Sequence, residues 1–175
     1  FDISGMFIGC SKLTNLTIFE DFYGDDIIAM DRLFSDCRSL TSIDLSLFKT
    51  KHVYDMSYMF ENMVNIKYLD LSSFESDELV DVTSMFSGCI QLTSIKFSQK
   101  FTGNKIELMD KMFIGCILLQ NIDLTYFNTP KLESMEETFS GCFILSSINL
   151  GNLNTENVRT FDETFSNCLN LKYLD

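Results

Sequence analysis

The chain is poor in the residues from which catalytic and nucleic-acid sites are built. It has 1 His, 1 Pro, and 13 Lys and Arg against 25 Asp and Glu, for a formal net charge of −12 over 175 residues. Neutralising phosphates needs clustered Lys and Arg, so nucleic acid is excluded as a partner, and docking on anionic membrane surfaces is disfavoured for the same reason. Its apolar runs are only a few residues long, far short of a bilayer span, so no direct membrane insertion is expected of this segment. No signal peptide is visible. His52 stands beside Lys51 in a turn, no distinctive nucleophile or orienting partner accompanies it, and it reads as a solvated surface residue. The closest two cysteines are 26 residues apart, which removes the close pairs of a zinc site. No catalytic residue, cofactor or metal site is expected, and the chain reads as a non-enzyme.

What the sequence has in abundance is one lattice. Phe7, Phe34, Phe60, Phe86, Phe113, Phe139 and Phe165 are spaced 27, 26, 26, 27, 26 and 26 residues apart. Three residues after each comes Cys10, Cys37, Met63, Cys89, Cys116, Cys142 or Cys168, and three further on comes Leu13, Leu40, Ile66, Leu92, Leu119, Leu145 or Leu171. A fixed period of this length is the mark of a stacked repeat protein. With 46% hydrophobic residues the chain can bury a large core.

Within a repeat, L-x-x-L-x-L comes first, as in Leu40/Ile43/Leu45, Ile66/Leu69/Leu71, Leu92/Ile95/Phe97, Leu119/Ile122/Leu124 and Leu145/Ile148/Leu150. Its last three residues alternate apolar and polar, as in a half-buried strand. Strands repeating in one direction must stack in parallel, at roughly 4.8 Å per coil. Both 27-residue steps place their extra residue in the turn after the strand, Phe19 to Asp21 and Ser98 to Lys100. The second part carries Val53, Met56, Met59 and Phe60, the spacing of one helix face, repeated from Ile106, Leu132 and Val158. A column of Gly9, Asp36, Asn62, Gly88, Gly115, Gly141 and Asn167 tolerates left-handed backbone and reads as the helix stop. The helix start is open between two capping columns. One is Gly24, Thr50, Ser76, Gly103, Thr129 and Thr155, with Pro130 suited to a first helical position; the other is Asp31, Ser57, Thr83, Asp110, Glu136 and Asp162.

Phrases such as Met85-Phe86-Ser87-Gly88-Cys89-Ile90-Gln91-Leu92 and Val53-Tyr54-Asp55-Met56-Ser57-Tyr58-Met59-Phe60 resemble the BspA-type leucine-rich repeats of surface proteins in bacteria and microbial eukaryotes. The resemblance covers essentially the whole chain. It implies an α/β fold: a leucine-rich-repeat solenoid with a parallel β-sheet on one side and short helices on the other, in about seven repeats. It further implies adhesion or protein recognition, with no catalytic motif to carry over. Residues 1–175 are expected to form a single solenoid. Polar capping repeats are absent, so the chain is expected to be an internal segment of a longer protein.

Met63 in the cysteine column shows that this position serves buried apolar volume, so the thiols are expected to be reduced and protected. The outward columns of the strand face are the candidate partner surface. One reads Thr17, Asp44, Asp70, Lys96, Asp123, Asn149 and Asp175; the next reads Asn15, Ser42, Tyr68, Ser94, Asn121, Ser147 and Tyr173. Asp44, Tyr68, Asp70, Lys96, Asn121, Asp123, Asn149 and Tyr173 are the expected contacts, with the tyrosines as anchors. Asp44 opposite Asp70 is unfavourable. A basic partner, a calcium ion or solvent screening would relieve it. Asn15-Leu16-Thr17 matches a glycosylation acceptor, read here as a residue in a strand. The expected function is a protein-binding or adhesion module for a protein partner, basic in character, or a host or cell-surface ligand, located on the cell surface or outside the cell. The alternative is an architectural subunit bridging proteins in an intracellular assembly.

Overall fold

The structure, a computed structural model, describes residues 1–17 and 26–174. The turn at Phe19 to Asp21, Gly24 and Asp175 lie outside the described residues.

Among the described residues five short strands come from the L-x-x-L-x-L segments: β1 Tyr68–Leu71, β2 Ser94–Phe97, β3 Asn121–Asp123, β4 Ser147–Asn149 and β5 Tyr173–Leu174. In β1 the alternation of exposed Tyr68 and Asp70 with buried Leu69 and Leu71 is that of a sheet with one wet face. All pairings are parallel, and each joins a residue to its equivalent in the next repeat, as Asp70 to Lys96 and Asn121 to Ser147. The strands form two sheets, β1–β2 and β3–β4–β5. The break falls where the extra residue at Ser98 to Lys100 enters the turn after β2. The segments around Leu40 to Leu45 and Leu13 to Thr17 form no strand, although Leu40 and Leu45 are buried. Apolar alternation decides which side chains go inward; it does not by itself pair the backbone. Asn15 is therefore exposed and not in a strand.

The expected short helices are absent among the described residues, so the fold is built from strands and turns and the α/β class is corrected. The cause is a second left-handed column. Besides Asp36, Asn62 and their Gly and Asn equivalents, Arg32, Tyr58, Ser84, Lys111, Glu137 and Glu163 have φ between 48° and 58°. Tyr58 sits in the middle of the Val53 to Phe60 apolar run, and a left-handed residue interrupts a right-handed helix there. The segment instead folds as successive tight turns, with Leu33 N–H bonded to the Met30 carbonyl and Cys37 N–H to that of Phe34. Positive φ at the third turn position is the type II arrangement. Alternate N–H groups point out of the turns to the following repeat: Met30 to Asp55, Arg32 to Ser57, Phe34 to Met59 and Asp36 to Glu61. Beside them runs an unbroken chain of parallel bridges through Asp2, Ala29, Asp55, Asp81, Leu108, Ser134 and Thr160. The continuous ladder of this protein is on the turn side, and the sheet side is interrupted.

The energetics favour this choice. A left-handed non-glycine residue costs about 1–2 kcal/mol. Each such step delivers buried apolar side chains, each contributing about 1.5–3 kcal/mol. After Tyr58 these are Met59, Phe60 and Met63. The Phe column forms one stack, with ring centroids 5.3 Å apart for Phe86 and Phe113 and 6.0 Å for Phe34 and Phe60, and planes within 17°. A second column, Phe48, Phe74, Phe101 and Phe127, is buried beside the strands.

The first capping column has another task. Thr50 Oγ1 accepts the Glu75 N–H and donates to the Glu75 carbonyl, Ser76 Oγ accepts the Gly103 N–H, and Thr129 donates to the Asn154 carbonyl. These buried hydroxyls clamp one repeat to the next. Pro130 occupies the second position of the turn closed by Leu132 N–H on the Thr129 carbonyl. In the second column Asp110 accepts the N–H of Glu136 in the next repeat. The cysteines are free, with Cys37, Cys89, Cys116 and Cys142 buried, Cys168 half-buried and Cys10 exposed. Protection of all six is thus corrected: the first repeat leaves its thiol in solvent.

Candidate functional site: the outward face of the strands

Asp44, Tyr68, Asp70, Lys96, Asn121, Asp123, Asn149 and Tyr173 are all exposed to solvent, all but Asp44 within β1 to β5. The structure gathers them into two groups. In the first, the Tyr68 hydroxyl donates to Asp70 Oδ2 at 3.2 Å and Lys96 Nζ reaches the same oxygen at 3.5 Å. In the second, Ser147 Oγ donates to Asn121 Oδ1 at 2.9 Å, and Asn149 Nδ2 donates to Thr125 Oγ1 at 2.8 Å. Thr125 in turn donates its hydroxyl to Asp123. Tyr173 pairs in register with Ser147 at the end of β5. Asp44 belongs to no strand, so the expected ladder opposition to Asp70 does not form. The two carboxylates line one shallow cavity of about 210 Å³.

The acidic column has a local role that its outward position conceals. Asp44, Asp70 and Asp123 each accept the backbone N–H two residues on, from Ser46, Ser72 and Thr125, at 2.9, 2.9 and 3.0 Å. Asn149 does the same for Gly151 at 3.0 Å. These are Asx turns, and those of Asp70, Asp123 and Asn149 fall at the ends of β1, β3 and β4. The signal was in the sequence as Asp or Asn two residues before a Ser, Thr or Gly. Ser72, through its hydroxyl and N–H, brings the Asp70 carboxyl down to about 2, and Ser46 lowers that of Asp44. Donation from the backbone stabilises the carboxylates of Asp44 and Asp70 in their charged form. Among the described residues no group of three His, Cys, Asp or Glu side chains could hold a metal ion.

Sequence reasoning missed the cleft of about 650 Å³ at the sheet break, where Lys96, Phe97, Lys100 and Tyr126 converge. The 27-residue step pointed to it, because an extra residue in the turn shifts the strand that follows. Glu75 forms an ion pair with Lys100 at its rim.

The family model described as "Mycoplasma protein of unknown function, DUF285" matches residues 1–98 and again residues 93–173. The chain belongs to that family. No curated protein matches it. Among solved structures it is similar to a leucine-rich repeat protein from Bacteroides ovatus, at 19% identity and a TM-score of 0.42, covering 98% of this chain and 57% of that one. A leucine-rich cell surface protein from Faecalibacterium prausnitzii follows at 16% identity and 0.40, covering 98% and 75%. A leucine-rich repeat protein of T. pallidum stands at 14% and 0.35, covering 83% and 72%. The chain thus spans little more than half the length of the Bacteroides protein. Among the described residues no helix is long and apolar enough to cross a membrane.

Proposed function

We propose that this chain is a protein-binding module: a leucine-rich-repeat solenoid of BspA type that presents the outward face of its strands on the cell surface, as part of a longer protein. One observation carries the reading. Along β1 to β4 the outward residues are chemically varied and exposed, save the half-buried Ser147, while the inward ones are uniformly aliphatic or aromatic. Packing dictates the inward residues and the Asx turns fix the acidic column, while the column of Tyr68, Ser94, Asn121, Ser147 and Tyr173 is left to be shaped by a partner. Tyr68 and Tyr173 supply large exposed rings of the kind that anchor interfaces. The acidic column of Asp44, Asp70 and Asp123 suits a basic protein partner, and association then weakens as salt rises.

The test is to identify the partner by pull-down with the immobilised chain and then replace Tyr68, Asp70, Lys96 and Asp123 together. Loss of binding by the folded variant supports the reading. Unchanged affinity, with loss on replacing Tyr58 and Glu137 of the turn side, overturns it. Surface location is tested separately by protease treatment of intact cells, which should remove the protein.

A further inference from the structure

Directly after the cysteine column the chain places Val64, Ile90, Ile117, Phe143 and Leu169. The N–H groups of the first four all bond the carbonyl two residues back, at 2.8 to 3.0 Å, so their side chains leave equivalent backbones in the same direction. They are not core residues. Ile90 is 38%, Phe143 44% and Leu169 75% exposed, with Val64 and Ile117 half-buried. The result is an apolar stripe running along the stack at one corner between the turn ladder and the strands.

The surroundings of the stripe are unusual for this chain. The four runs Ser87–Gln91, Ile114–Leu118, Ser140–Ile144 and Ser166–Asn170 contain no charged residue, although the chain carries a net charge of −12. The equivalent run of the second repeat holds Asp36 and Arg38, and that of the third holds Glu61. A charge-free band with an apolar centre matches the composition of an interface core.

We infer that this corner is a self-association surface, on which a second copy of the chain seats its own stripe antiparallel about a two-fold axis. Two arguments select the occupant. The apolar groups recur once per repeat, at the spacing that stacks Phe86 on Phe113 at 5.3 Å and Phe113 on Phe139 at 5.5 Å. A second copy offers the same spacing, and a linear stripe is self-complementary under a two-fold axis perpendicular to it. The axis falls between Ile117 and Phe143, setting Ile117 against Phe143 and Ile90 against Leu169, and keeping Glu61 and Arg38 outside. The band is also where two acidic molecules approach with least repulsion. Sixteen of the twenty residues in its four runs reach the surface, Cys89, Cys116, Ser140 and Cys142 being buried, which is the size of a weak, reversible interface.

This surface is separate from the strand face of the proposed function, and salt distinguishes them. Screening the repulsion between two acidic chains tightens the dimer, whereas binding of a basic partner to the strand face weakens. Sedimentation equilibrium of the 175-residue chain at 50 and 500 mM NaCl is the experiment, with about fivefold tighter dimerisation expected at the higher salt. Phe143→Asp and Ile117→Asp, checked for unchanged circular dichroism, should each weaken the dimer by roughly a hundredfold because the change occurs in both copies. Tyr68→Ala should leave it unchanged. A chain that stays monomeric throughout, or a dimer indifferent to Phe143→Asp, overturns the inference.

Discussion

The thiol of Cys116 donates to the carbonyl oxygen of Phe86 at 3.2 Å, and the same oxygen accepts the backbone N–H of Cys89 at 3.1 Å. One carbonyl thus closes a turn in its own repeat and receives a side chain from the next. Cys89 on Phe60, Cys142 on Phe113 and Cys168 on Phe139 repeat the arrangement. Met63 interrupts it, filling the buried volume without a thiol. The cysteine column therefore joins packing to inter-repeat bonding, a role that Met fulfils only in part.

Thiol reactivity should follow position in the stack. Burial pushes the thiols of Cys89 and Cys142 up to about 12, that of Cys37 to about 11, and that of Cys116 well above the ordinary value. Since the thiolate is the reactive form, alkylation of the native protein near pH 8 should modify Cys10 first and leave these four untouched. Mass mapping in denaturant should then recover six free thiols. Rapid native labelling of Cys116, or a Cys89–Cys116 bridge, would contradict the structure.

Removing a ring from the Phe stack should be costly. Phe86→Ala and Phe113→Ala are each expected to destabilise by roughly 3–5 kcal/mol in urea unfolding. The loss should extend to adjacent repeats, because each is stable chiefly through its neighbours. Phe165 is only half-buried, so Phe165→Ala should cost less. A loss below about 1 kcal/mol at Phe86 would remove the stack from the core.

Ser84 offers a test of turn against helix. Its φ is 55°, so Ser84→Gly relieves a left-handed strain and should stabilise by about 1 kcal/mol. In a helix the same change would destabilise by roughly as much. Gly88→Ala should act in the opposite sense: φ is 69° and the new Cβ would collide with Asn62 Oδ1. Thermal melts of the two variants moving in the same direction would refute the turn assignment.

Asp70 should show its Asx turn in both pH and mutation. Its folded-state pKa is lowered to about 2, so its contribution is complete above about pH 4 and lost as pH falls towards 2. Carboxyl titration by NMR should place the midpoint near the lower value. Asp70→Asn keeps an acceptor for the Ser72 N–H, as Asn149 does naturally for Gly151, and should be nearly neutral. Asp70→Ala should cost about 0.5–1.5 kcal/mol. Equal effects of the two changes would assign the role to the charge and its Lys96 pair.

The repeat, the pairing register of β1 to β5, the buried columns and the outward exposure of the strand residues were legible in the sequence, because each depends on a local rule that recurs along the chain. The spacing of Phe and Cys marks equivalent positions, and Leu69 and Leu71 alternate with exposed Tyr68 and Asp70. The Gly and Asn column announced left-handed backbone correctly. The tertiary structure decided where the backbone hydrogen bonds go. The offsets of Val53, Met56, Met59 and Phe60 fit a helix face and a string of tight turns equally well, since both return side chains to one side every three or four residues. A helix satisfies its N–H groups within the segment. Here the neighbouring repeat supplies the acceptors, as Asp81 does for Met56 and Met85 for Phe60. That supply, together with burial of the Phe and Met columns, lets Arg32, Tyr58, Lys111 and Glu137 hold a conformation that their own side chains disfavour. Only the stacked neighbours provide both, so no single repeat read alone could reveal it.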